Sequence, residues 1–154
     1  MTAVFDPPAG YLALYTNGAL AGINTSVTTT FSSVNDLFSY VGRSLYSADP
    51  YPDFTLDEFR IYTGALAASE IAATQVLGPN QLLSTASPAI SASVSGDNAT
   101  LSWPLAAAGY TILTTTNLAT GNWMAAGATP QIVGNQWQAV LPVAGDTRFY
   151  RLEK

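Results

Sequence analysis

Apolar and polar residues alternate with a period of two over much of this chain, and the alternation breaks at clusters of Gly, Pro, Asn, Asp and Ser. Residues 2–6 alternate weakly and stop at Asp6-Pro7-Pro8-Ala9-Gly10, whose prolines cannot continue a ladder. In residues 11–16, Tyr11, Ala13 and Tyr15 share one face while Leu12 and Leu14 take the other. Asn17-Gly18 then supplies the positive backbone angles of a tight turn, and residues 19–23 return as the partner strand. Residues 27–31 and 38–41 read as two more strands around a polar turn at 32–36. After a proline-punctuated loop, residues 54–62 read as a long strand. Residues 66–75 have helical character, being rich in Ala with Glu70 early and Leu66, Ile71 and Val76 placed to pack.

Gly78-Pro79-Asn80 ends that helix, and the Ser/Thr-rich residues 81–88 have no strong period and read as a linker. Strand logic then restarts. Residues 90–94, a Gly96-Asp97-Asn98 turn and residues 100–103 predict a hairpin. Residues 104–109 make a loop, and strands follow at 110–116, 122–125, 132–133, 136–143 and 148–152. Seven short strands in this space predict an immunoglobulin-like sandwich.

Composition narrows the chemistry. Hydrophobic residues make up 48%, which excludes a disordered chain, and charged residues only 10%, leaving neutral, hydroxyl-rich surfaces. The net charge of −5 is uneven: residues 1–80 hold seven acids and two bases, residues 81–154 three of each. With no basic stripe to displace counterions, neither nucleic acid nor an anionic membrane surface is an expected partner. Cys and His are both absent, which removes thiol chemistry, disulfides, imidazole metal sites and His-activated nucleophiles. Carboxylate chemistry and oxygen-ligated cations remain open. No segment approaches the roughly 20 apolar residues of a membrane span, so membrane insertion is not expected. The first residues lack the basic and apolar regions of a secretory signal. Met1 is read as an artificial or an internal start, so the missing signal says little about location.

Two stretches resemble known families. Ala13-Leu14-Tyr15-Thr16-Asn17-Gly18, Tyr40-Val41-Gly42-Arg43-Ser44 and Leu56-Asp57-Glu58-Phe59-Arg60-Ile61-Tyr62 together resemble the second half of a bacterial laminin-G-like (concanavalin A-like) jelly roll. That family often carries Val where this chain has Thr16. Leu101-Ser102-Trp103-Pro104, Gly109-Tyr110-Thr111-Ile112, Asn117-Leu118, Asn122-Trp123 and Arg148-Phe149-Tyr150-Arg151-Leu152 resemble a fibronectin-III-like module found at the C-termini of secreted bacterial proteins. The expected fold is therefore all-β: a truncated jelly-roll segment with a short terminal helix (residues 1–77), a linker (78–88) and a small immunoglobulin/fibronectin-III-like β-sandwich (89–154). The resemblance implies an extracellular or cell-surface location within a larger secreted protein.

Candidate site residues follow from both readings. Asp49, Asp53, Asp57 and Glu58 cluster in sequence, and the resembled family's calcium sites use oxygen ligands near loops, so Asp49, Asp53 and Asp57 are candidate calcium ligands. In strand geometry Asp57 shares a face with Phe59 and Ile61, which would turn its carboxylate toward the core and require a cation or several donors. The competing reading leaves Asp57 bonded to backbone N–H groups, with Asp49 and Asp53 in solvent. A glycosidase pair is the enzymatic alternative, but adjacent Asp57 and Glu58 point to opposite strand faces. Tyr46 and Tyr51 flank the proline-rich loop, and Trp137 follows Gly134-Asn135; these three are the candidate sugar platforms. For Trp137, core packing competes, since Ala139 and Leu141 share its face. Trp103, Tyr110, Trp123 and Tyr150 are expected core. Arg43 and Arg60 are expected to pair with local acids.

The expected function is a non-catalytic carbohydrate-binding or adhesion module whose partner is a polysaccharide or cell-surface glycan. A jelly roll without its early strands exposes sheet edges. The alternative is therefore structural self-assembly, in which residues 1–76 pair with a second copy or accept a strand from another chain.

Overall fold

The computed structural model describes every residue except Val34, Asp36, Leu37, Ala144 and Asp146. The architecture is all-β, with three antiparallel sheets and one α-helix among the described residues. The chain divides into two compact units: Met1–Thr16 with Leu20–Leu66, and Asn17–Ala19 with Ala67–Lys154. No helix among the described residues is long and apolar enough to cross a membrane.

The first sheet is β1 (Thr2–Asp6), β2 (Tyr11–Thr16) and β3 (Ala19–Asn24), in that order. Between β1 and β2 the Asp6 carboxylate accepts the Ala9 N–H at 3.1 Å, closing a local turn. Asn17 (φ 51°) and Gly18 (φ 78°) both take the positive φ that a two-residue hairpin turn demands. The expected alternation holds in β2. Val4 and Ala13 face each other across the ladder and are buried. Leu12 and Leu14, on the opposite face, are exposed.

The strands expected at 27–31, 38–41 and 54–62 do not form. Residues 27–30 are irregular, with the Val27 N–H donating to Gly10 O at 3.0 Å, and Phe31–Ser33 is a 3₁₀ turn. The rest of the turn expected at 32–36 falls partly outside the described residues, at Val34 and Asp36. Residues 38–41 and 54–62 have no ladder partner among the described residues. Strand propensity describes how a side chain suits a pleated, half-buried surface. Without a neighbour to take the backbone N–H and C=O groups, it does not make a strand.

The helix α1 (Ala68–Leu77) begins two residues later than expected. Glu70 takes the Ala67 N–H at 2.9 Å, satisfying one of the donors left open at the helix start. The Gly78 N–H donates to Thr74 O at the other end.

In the second unit β4 (Ser91–Ser95), β5 (Asn98–Pro104), β8 (Gln131–Val133) and β9 (Gln136–Pro142) form a sheet in the order β4-β5-β9-β8. β6 (Thr111–Thr115), β7 (Met124–Ala125) and β10 (Phe149–Glu153) form another in the order β10-β6-β7. Ala99, Leu101 and Trp103 of β5 stand opposite Leu141, Ala139 and Trp137 of β9. All of these but Ala99, with Ile112, Tyr150 and Leu152 from the other sheet and Ala73 and Leu77 from α1, make one apolar core. The loop after β5 is also core: Leu105, Ala107 and Ala108 are buried. Its backbone groups stay satisfied because Leu105 O, Ala106 O and Ala107 O each accept a hydrogen bond. Trp123 departs from expectation. It lies outside this core, half-buried beneath the Arg151 guanidinium at 4.6 Å.

Candidate functional site

The acidic residues are not brought together. Among the described residues no three Asp or Glu side chains converge as a metal ion would require, so Asp49, Asp53 and Asp57 do not form the expected ligand set. Asp57 does not turn inward. Residues 54–62 form no strand, Asp57 is exposed, and Phe59 and Ile61, expected to share its buried face, are exposed as well. Glu58 pairs instead with Arg60, its Oε2 2.5 Å from the guanidinium. Hydrogen bonding to the Tyr62 side chain, reinforced by Glu58 and opposed by burial, raises the Arg60 pKa further above its ordinary range. Arg43 lies 4.8 Å over the Tyr40 ring, and no acid among the described residues pairs with it.

The aromatic candidates separate. Tyr46 and Tyr51 are 77% and 74% exposed, so both rings are open to a ligand. Tyr46 opens a turn closed by the Asp49 N–H on its carbonyl at 3.2 Å, and its own N–H donates to Ser44 Oγ at 3.1 Å. Trp137 is no exposed platform. It is 7% exposed, sits opposite Trp103 in the ladder, and its indole N–H donates to Leu105 O at 3.1 Å. The Trp103 indole donates to Ala107 O at the same distance. The two indoles thus hold the buried loop and are themselves held.

Small parts of these largely buried rings nonetheless border a pocket. A cavity of about 260 Å³ in the second unit is walled by Trp103, Tyr110 and Trp137, with Ser69, Thr111 and Thr129 among its polar residues. No charged side chain lines it. Beside it the Lys154 ammonium lies 2.6 Å from Glu70 Oε1 and 5.9 Å from the Tyr110 ring centroid. Gly109 (φ +81°) makes room for that pair, since a Cβ there would stand 3.1 Å from Glu70 Oε1 and 3.2 Å from Lys154 Cε. Burial pushes the Glu70 carboxyl up, but the Lys154 ammonium and the Ala67 N–H together outweigh it and hold the pKa below the usual carboxylate value.

Sequence reading missed this cavity. It assigned Tyr110 to the core, against which the ring does pack, without marking its place in the cavity wall, and passed over Ser69 and Thr129. Sixty residues separate those two, and no local spacing marks residues that only packing brings together.

The family model for the concanavalin A-like lectin/glucanases superfamily matches residues 1–72, from β1 into α1. No curated protein and no solved structure matches the chain.

Proposed function

We propose that the chain is a non-catalytic carbohydrate-binding and adhesion module of an extracellular or cell-surface protein, with a fibronectin-III-like sandwich as its second unit. The observation that carries this reading is the pair of open rings, Tyr46 and Tyr51, inside the stretch that matches the lectin and glucanase superfamily. A sugar ring presents axial C–H groups that carry partial positive charge, and an exposed aromatic face offers them negative quadrupole density. For the second unit, the order β4-β5-β9-β8 opposite β10-β6-β7 parallels the A-B-E-D and F-C pairing of immunoglobulin-type sandwiches. Binding to a panel of insoluble polysaccharides tests the proposal. At least one glycan is expected to retain the chain, and the Tyr46→Ala/Tyr51→Ala double variant should weaken that binding by about tenfold or more. A panel without binding, or a double variant that binds as well as the parent, overturns it.

A second reading, self-assembly, draws on residues 54–62. Phe54, Leu56, Phe59 and Ile61 are all more than half exposed, in a strand-prone segment that joins no sheet ladder among the described residues. Pairing with a second copy would satisfy backbone groups and cover apolar surface together. Sedimentation velocity should then show concentration-dependent association that Ile61→Lys abolishes. A monomer throughout the micromolar range excludes this reading.

A further inference from the structure

The second-unit cavity has the features of a small-molecule site. Its 260 Å³ corresponds to roughly eight or nine waters at about 30 Å³ each. That is room for one six-membered ring and its substituents, just below the size of drug-binding pockets, which start at about 300 Å³. Three aromatic residues wall it, and both indoles are fixed by hydrogen bonds to buried carbonyls, so the walls need no ordering when a ligand enters. Three hydroxyls complement them. Thr111 Oγ1 donates to Glu153 O and keeps its acceptor capacity, while the Ser69 and Thr129 hydroxyls have no hydrogen-bond partner among the described residues. Lys154, the nearby cation, is already engaged with Glu70 at 2.6 Å, so nothing in the lining compensates a charged ligand. Apolar ring walls, hydroxyl edges and no net charge describe a complement to a neutral pyranose, whose C–H face is apolar and whose rim is hydroxylated.

We propose that this cavity binds a single neutral pyranose residue, such as a hexose or N-acetylhexosamine at the end of a glycan. The proposal rests on the carbohydrate reading for its ligand class, but it places a site in the second unit, where only Ala67 and Ser69 of the lining fall within the residues that match the superfamily. The test uses the full chain with methyl β-D-glucopyranoside and N-acetyl-D-glucosamine, followed by saturation-transfer NMR and by tryptophan emission, since two of the three tryptophans wall the cavity. At least one glycoside should bind with a dissociation constant of about 1 mM. Ser69→Leu and Thr129→Leu replace side chains away from the central core, and near-UV circular dichroism checks their fold. Each should weaken binding about tenfold. The proposal is overturned if neither sugar binds, if both leucine variants bind like the parent, if glucuronate binds as well as the glycosides, or if only cyclohexanol binds. Failure of the polysaccharide assay with retained glycoside binding would instead overturn the Tyr46 and Tyr51 reading alone.

Discussion

Thr114 sits in an environment that does not suit its hydroxyl. Its hydroxyl is buried in β6 with no hydrogen-bond partner among the described residues, while neighbouring Thr115 donates to Asn117 O at 3.1 Å. A buried hydroxyl that loses its water and gains no partner costs about 1 to 3 kcal/mol. Thr114→Val keeps the branched shape and removes the stranded group. It is expected to raise stability by about 1 kcal/mol, or the melting temperature by about 2 to 4 °C, measured by thermal denaturation; Thr115→Val should do the reverse. The tryptophans make the complementary point. Alternation in β9 placed Trp137 on the Ala139 and Leu141 face, and that face is the core. Exposure of Tyr46 and Tyr51 could be anticipated from their loop, but no local pattern indicated that Tyr110 would wall a cavity.

At the scale of the element, α1 is tied to the sandwich by packing and by one ion pair. Ala73 and Leu77 join the core, while Glu70 reaches both Lys154 and its own helix start. The folded Glu70 pKa lies below its unfolded value, so its contribution is fully present above the unfolded carboxylate value near about 4.3 and disappears as pH falls through the folded value. Lys154 is half exposed, and solvent screening holds the pair to about 1 kcal/mol or less. Denaturant melts of Glu70→Gln and the parent should therefore differ near pH 7 and converge as pH drops below the usual carboxylate range. A gap that persists in acid would show that the loss comes from packing and capping. The seven strands of the second unit were legible because each has a neighbour that uses its alternation. Residues 54–62 carry equally good strand residues and form none, since alternation reports a face and does not supply a partner.

For the whole molecule, regular structure is unevenly distributed. Between β3 and α1 the described chain contains one 3₁₀ turn, with large apolar residues such as Leu45, Tyr46, Tyr51 and Phe59 exposed. Proteases need an accessible backbone that can be drawn into an active site. Limited chymotrypsin digestion should cut first within residues 38–62 and leave a C-terminal fragment containing residues 67–154 with sheet circular dichroism. Early cutting within residues 98–142 would contradict this.

The sequence by itself determined the all-β class, the Asn17-Gly18 hairpin, the strand series of the second unit and the chemistry closed to a chain without His or Cys. These are local properties: periodicity, turn geometry and the presence or absence of a functional group. The tertiary structure alone decided that Asp49, Asp53 and Asp57 stay apart, that the loop after β5 is core, and that Ser69, Tyr110 and Thr129 border one cavity. Each of these depends on which distant backbone segment lies alongside, and that is set by packing within each unit.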